Sequence, residues 1–231
     1  MVLYKKYHVS IGSNIGDRLE NIQSSLDLIH SRIASLTGIS CIYESESIGF
    51  DGDDFYNICA SFFSNISPHL VMQQLLEIEK TLGRNRSDEI KYISRIIDID
   101  IILIEDLVID SEELKVPHPE MCNRRFVMEP LIEIDPNLIH PVSKVSLKEI
   151  HETFDQNQKI QKKDLVLNNP GNLLSIRNYN YIAIEGNIGS GKTSLSKQIS
   201  ADFNTKLMLE RYIDNPFLAK FYENPRAFAS K

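Results

Sequence analysis

Apolar residues along the chain alternate between two spacings, and each change of spacing marks an element. Tyr7 to Ile11 predicts a strand, closed by the turn Gly12-Ser13-Asn14. Leu19, Ile22, Leu26, Ile29 and Ile33 then recur at three- and four-residue intervals, which predicts a helix from about Asp17 to Ala34. Ser40 to Ser47 and Phe55 to Phe63 read as two strands joined by the turn Asp51-Gly52-Asp53-Asp54. Pro68 opens a second amphipathic helix carrying Leu70, Leu75, Leu76 and Ile78, closed near Gly83. A basic loop, Arg84 to Arg95, precedes a β-branched strand from Ile96 to Ile104. Val108 and Ile109 suggest one further short strand, Val116-Pro-His-Pro a rigid loop, and Arg124 to Ile132 a helix.

The order β-α-β-β-α-β is that of a ferredoxin-like α+β sandwich. Beyond His151 the apolar period fades, so the chain divides into a domain over 1–160, a polar linker over 161–178 and a segment over 179–231. The last segment restarts with a strand, YIAIE, a glycine loop and a helix, SLSKQISADF, the opening of a P-loop α/β domain.

Composition narrows the classes. Of 231 residues 42% are hydrophobic, and 25 Lys and Arg against 32 Asp and Glu leave a net charge of −7. These are values of an ordinary globular chain, and the acidic balance disfavours a nucleic-acid coat. Cys41, Cys59 and Cys122 form no C-x-x-C pair, which points to a reducing compartment. The opening MVLYKKYHVSIG lacks the apolar region of a signal peptide, and Asp98 and Asp100 interrupt the greasiest segment. The expected location is the cytoplasm.

Chemistry concentrates around Asp98-Ile99-Asp100. Residues two apart on a strand share a face, so two carboxylates project together, with Ile102 and Ile104 expected to continue that face. The plain alternative is a solvent-facing strand; the functional reading is a magnesium site, since Mg²⁺ takes one or two carboxylates plus substrate phosphates. Arg84, Arg86, Lys91 and Arg95, with Arg124 and Arg125 further on, form a local basic exception in an acidic chain. Metal plus arginines is what a transferring phosphoryl group requires. Phe55 and Phe126 are ring pairs for a flat heterocycle, with Asn57 to read its edge; core packing is the default for each ring alone.

These residues lie in segments, GSNIGDR, YESESIG to FYN, IEKTLGRNR, SRIIDIDIILI and VPHPEMCNRRFVMEPL, that resemble the 6-hydroxymethyl-7,8-dihydropterin pyrophosphokinases of folate synthesis over about residues 5 to 150. The resemblance implies transfer of the β,γ-pyrophosphoryl group of ATP to the pterin hydroxymethyl oxygen, with release of AMP. It implies that Asp98 and Asp100 hold two Mg²⁺ ions, that Phe55 and Phe126 sandwich the pterin, and that Asn57, Ser45 and Ile48 line its slot. Arg84 and Arg95 are then catalytic, and Arg86, His118 and Arg124 bind ATP. Glu79 matches a family position of no derived role. The chain departs from the family at Tyr92-Ile93-Ser94-Arg95, where Trp-Gly-Pro-Arg is frequent; Ile93 does not take a glycine-only conformation easily, which bears on rate and affinity.

A second constellation, Gly186-Asn-Ile-Gly-Ser-Gly191-Lys192-Thr193, matches G-x-x-x-x-G-K-[ST] between a predicted strand and a predicted helix. Gly186 and Gly191 would let backbone N–H groups cradle phosphate, Lys192 would neutralise it and Thr193 would ligate Mg²⁺. EGNIGSGKTSL with LMLERYIDNPFLAKFYENP resembles the start of deoxynucleoside kinases, with Glu210 in the place of the acid that takes the nucleoside hydroxyl proton. About 50 residues fall short of the ~100 of a typical domain, so this part is expected to be an inactive fragment of a fused kinase, with oligomerisation through it a property of a longer chain. Two other functions compete with pyrophosphoryl transfer: nucleoside phosphorylation at the P-loop, and a non-catalytic nucleotide-binding module. Small-molecule substrates, and neither nucleic acid nor a membrane, are the expected partners.

Overall fold

The computed structural model describes residues 3–47, 49–50, 52–84, 94–154, 158–171, 181–186, 190–203 and 206–209. Two compact units form, Met1–Leu173 and Leu174–Lys231.

In the first unit, β1 (Lys5–Ser13), α1 (Arg18–Arg32), β2 (Leu36–Ile39), β3 (Ile42–Ser45), β4 (Phe55–Ser64), α2 (Pro68–Thr81) and β5 (Asp98–Ile104) follow the predicted order. The strand predicted over Ser40–Ser47 is β3, and a further strand not predicted from the sequence, β2, precedes it; both are antiparallel to β4. The break falls at Ser40, whose side-chain oxygen accepts the Cys59 N–H at 3.0 Å. Next come a hairpin of β6 (Ile109–Asp110) and β7 (Lys115–Val116), a 3-10 turn at Met121–Asn123, α3 (Arg125–Ile134), α4 (Leu147–Glu152) and β8 (Ile160–Lys163). The sheet runs β5-β1-β4-β3-β8, antiparallel throughout.

Alternation along the strands divides the core. Tyr7, Val9 and Ile11 of β1, with Ile58, Ala60 and Phe62 of β4, pack under Ile22, Leu26 and Ile29 of α1 and Val71, Leu75 and Ile78 of α2. On the opposite face, Cys59, Ile102 and Leu103 pack against Val127, Met128 and Leu131 of α3 and Leu147 of α4. Helix starts follow their caps. Asp17 accepts the Glu20 N–H at 3.1 Å, Ser67 precedes Pro68, and Ser146 with Glu149 forms a reciprocal capping box.

Two further sequence expectations change in this unit. A register shift against β1 at His8/Val9 puts one extra residue into β5, so Ile102 stays on the acid face and Ile104 turns into the opposite core. Residues 161–163, assigned to the linker for their polarity, belong to β8, which extends the sheet beyond β3 with Ile160 opposite Ser45. An edge strand packs on few neighbours and shows little hydrophobic period, which is why IQKK reads as a loop.

In the second unit, α5 (Lys192–Phe203) forms where a helix was predicted, but residues 181–186, expected as the strand YIAIE, form no strand. Among the described residues no helix is long and apolar enough to cross a membrane.

Candidate active site

The pairings Gly12↔Asp98, Ser10↔Asp100, Gly12↔Asn57 and Ser10↔Cys59 bring these positions to one sheet face. Beyond the end of α3 that face is left open. There a cavity of about 450 Å³ is lined by Gly12, Ser45, Phe55, Asn57, Arg95, Asp98, Asp100, Arg124 and Phe126, among others. Its size suits a small-molecule ligand. Nine residues separated by up to 114 positions thus meet because four strands and one helix start converge.

Asp98 is the hub of the charged wall. Its two oxygens are held by Arg84 and Arg95, and Arg84 also binds Glu79 at 2.6 Å. Glu79, on α2, is 1% exposed and additionally accepts the Ile99 N–H at 2.7 Å. It therefore ties α2 to the start of β5 and holds Arg84 beside Asp98, a role its sequence position did not disclose. Burial opposes the charge on Asp98, but the two guanidinium groups prevail and keep its carboxyl below the usual range. Burial likewise opposes the charge on Arg84, and Asp98 and Glu79 outweigh it. Asp100 goes the other way: burial and the charge of Asp98 raise its pKa, against His118 and Arg124. Burial lowers His118, opposed by Asp100. The Glu120 N–H donates to His118 Nδ1 at 3.1 Å, leaving Nε2 to carry the proton of the neutral ring.

This donor set suits Mg²⁺. Two carboxylates on one strand face, with the charge of Asp100 opposed by burial and by Asp98 beside it, would gain from a hard cation placed between them. No cluster of three or more His, Cys, Asp or Glu suited to a metal occurs among the described residues, and Mg²⁺ characteristically takes one or two carboxylates with waters and substrate phosphates.

The uncharged wall has a defined polarity. Asn57, 3% exposed, donates from Nδ2 to Ser45 Oγ at 3.0 Å and to the Tyr43 carbonyl at 3.3 Å. Its Oδ1 faces Gly12, where a Cβ would come within 3.3 Å of it and 3.5 Å of the Phe55 ring. Glycine at position 12 keeps that acceptor open. Phe55 packs edge-on against Phe50 at 6.3 Å, and the Arg124 guanidinium lies 5.9 Å from the centre of the Phe126 ring.

Asn14 is a positioning residue that sequence reasoning missed, although it stands in the GSNIGDR segment. It is 1% exposed, accepts the Arg95 N–H at 2.6 Å, and donates to Ser94 Oγ at 3.1 Å and to the Asp53 carbonyl at 3.0 Å. One amide thus holds the backbone that carries Arg95. Ile48, Arg86, Ile93 and Glu210 lie outside the described residues.

In the second unit Gly191 has φ of +83°, the left-handed conformation a phosphate loop needs, and α5 starts at Lys192. Lys192 Nζ donates to the Gly186 carbonyl. Thr193 is exposed.

The comparisons agree with this division. Residues 8–136 match the family model of 7,8-dihydro-6-hydroxymethylpterin-pyrophosphokinase, and residues 182–231 match that of deoxynucleoside kinase. The chain is 36% identical over 143 residues to the 2-amino-4-hydroxy-6-hydroxymethyldihydropteridine pyrophosphokinase of Aquifex aeolicus, covering 62% of this chain and 88% of that protein. It is 36% identical over 129 residues to the enzyme of the same name from Bacillus subtilis, covering 55% and 76%. Against the folic acid synthesis protein fol1 of Schizosaccharomyces pombe it is 35% identical over 62% of this chain, spanning 19% of that longer protein. A crystal structure of Plasmodium falciparum HPPK-DHPS with pteroate shares the fold, with TM-score 0.52 and 15% identity over 65% of this chain and 42% of the other. With more than half its length matched and two relatives covered over most of theirs, the chain belongs to the 7,8-dihydro-6-hydroxymethylpterin-pyrophosphokinase family.

Proposed function

We infer that the chain transfers pyrophosphate from ATP to 6-hydroxymethyl-7,8-dihydropterin, giving the pterin diphosphate and AMP in folate biosynthesis. Family membership supports this, and one observation carries it: two carboxylates, two phosphate-directed arginines and a ring-and-amide wall share a single cavity.

In this reading the pterin lies between Phe55 and Phe126, with Asn57 Oδ1 accepting from its edge and Ser45 fixing the Asn57 amide. Ile48 completes the slot. Arg84 and Arg95 turn from Asp98 toward the triphosphate, and Arg86, His118 and Arg124 bind ATP. The acceptor hydroxyl oxygen attacks the β-phosphorus and AMP departs, so the arginines must meet charge that grows on the bridging oxygen. Asp98 and Asp100 would hold Mg²⁺, two ions in our proposal, supplying charge neutralisation and alignment of the attacking and leaving oxygens. Asn14 and Glu79 hold Arg95 and Arg84 in place.

We propose that residues 179–231 are the N-terminal part of a deoxynucleoside kinase domain joined to this enzyme, with Gly186, Gly191, Lys192 and Thr193 as its phosphate loop and oligomerisation reserved for a longer chain. The match over residues 182–231 supports this. Three free cysteines fit residence in the cytoplasm.

The test mixes the protein with ATP, Mg²⁺ and the pterin and separates the nucleotides, beside a tube with deoxyadenosine or deoxyguanosine in place of the pterin. AMP formed only with the pterin supports the reading. ADP formed only with the nucleoside overturns it.

A further inference from the structure

Helix α3 begins without a cap of its own. Arg124 occupies the N-cap position and makes no side-chain cap hydrogen bond, although the first turn of a helix has N–H groups lacking intrahelical partners. That turn carries Arg124 and Phe126, so its placement fixes one ring of the slot and one phosphate-directed cation.

The missing acceptor comes from a residue 33 positions away. Gln158 Oε1 accepts the Arg125 N–H at 2.8 Å, and Gln158 Nε2 donates to the Asn123 carbonyl at 2.8 Å, on the other side of Arg124. The Arg125 guanidinium returns a bond to the Gln158 carbonyl at 3.2 Å. Gln158 is itself held, because β8 starts two residues later and pairs Ile160 with Ser45 on the opposite wall of the slot. It also lines the main cavity, and a second one of about 280 Å³ bounded by Ser45, Arg125 and Phe126.

We propose that Gln158 is a positioning residue of the pterin slot. It caps α3 from outside the helix and, through β8, fixes the distance between the Phe126 turn and β3. Gln158 lies beyond the matched family region, residues 8–136, and β8, which holds it, runs past the sequence-based domain limit of 160. The proposal rests on the assignment of Phe126 to the pterin.

The experiment measures KM for the pterin, kcat and the thermal midpoint in the full chain carrying Gln158→Met, Gln158→Glu or Phe126→Ala. Gln158→Met keeps the side-chain length and removes both amide bonds; two bonds at about 1 kcal/mol each correspond to a pterin KM raised about tenfold to thirtyfold. The kcat should stay within about twofold, since the reacting groups on β5 are untouched. Gln158→Glu keeps the acceptor for the Arg125 N–H and should raise KM only about threefold to fivefold. If Gln158→Met does not fold, an unmoved KM in Gln158→Glu overturns the proposal and a raised one supports it. A lower thermal midpoint with unchanged pterin KM in Gln158→Met shows a cap that serves stability alone, and overturns it. If Phe126→Ala leaves KM unchanged, the slot assignment fails and takes the proposal with it. A raised KM in Phe126→Ala beside an unmoved one in Gln158→Met removes the role of Gln158 alone.

Discussion

The two phosphate sites proposed for this chain are built on opposite plans. The proposed P-loop is local: Gly186 to Thr193 supply its glycines, lysine and threonine from eight consecutive residues, and Lys192 bonds the Gly186 carbonyl. The pterin-side site is distributed: Asp98 and Asp100 come from β5, Arg84 from the end of α2, Asn57 from β4, Phe126 from α3, and Glu79 and Asn14 fasten them from below. A local motif announces itself in sequence whether or not a domain surrounds it. A distributed site exists only once the sheet has formed, so its charges are tuned by burial that no short motif encodes. The difference separates recognising a motif from establishing an activity.

Asp100 tests this most sharply, because burial and its neighbour Asp98 both work against its charge. Asp100→Asn should lower AMP formation about a thousandfold, as expected for a lost charge-stabilising group. The same variant should unfold no more readily than the parent chain in urea, since the fold gains nothing from that charge. Retained turnover would remove Asp100 from the site.

Glu79 represents the opposite case. It is buried and bonded to Arg84 and to the Ile99 N–H, so Glu79→Ala strands a buried backbone donor and takes from Arg84 one of its two carboxylate partners, leaving Asp98. The expected loss is about 3 kcal/mol of folding stability in urea denaturation, the usual scale for breaking a buried pair from one side. A loss below about 1 kcal/mol would show that Asp98 suffices to hold Arg84, and that α2 does not need this tie.

The distributed plan also leaves an acid-sensitive point away from the site. His8 on β1 is 1% exposed and bonds Asp135 at 3.3 Å. Burial, then the charge of Lys6, pushes its pKa down to about 4, with Asp135 pulling weakly the other way. An unfolded chain binds a proton at this histidine below about pH 6.5, whereas the native chain does so only near 4. Stability is therefore intact above pH 6.5 and falls as pH drops toward 4, by about 2 kcal/mol at pH 5. His8→Gln should remove that part of the acid slope. Identical slopes in urea unfolding at pH 7 and pH 5 would mean that His8 takes up its proton equally in both states.

What the sequence disclosed, and what it withheld, follows the same division. The strands and helices around Tyr7, Ile22, Ile58, Leu75 and Ile99 were legible because each buries one periodic face. Asp98 and Asp100 were legible from their two-residue spacing. The turn of Ile104 to the opposite core was not, because an inserted residue leaves no mark in a run of isoleucine and leucine. Nor was β8, whose alignment with β3 is set by backbone bonds. Glu79, Asn14 and Gln158 act through side-chain hydrogen bonds to distant backbone groups, and such partners have no period to read.

The last prediction concerns the local motif. Lys192→Ala removes the cation of the proposed P-loop and should leave pterin-dependent AMP formation within about twofold of the parent chain, because every residue assigned to the pterin reaction belongs to the first unit, Met1–Leu173. The control is Arg95→Ala, which removes a cation from that cavity and should cost about a hundredfold in kcat. If Lys192→Ala slowed AMP formation as much as Arg95→Ala, the phosphate that Lys192 binds would be the phosphate being transferred, and the separation of the two sites would collapse. If only Arg95→Ala acts, the P-loop is a second phosphate site whose chemistry the pterin reaction does not use, however complete its motif.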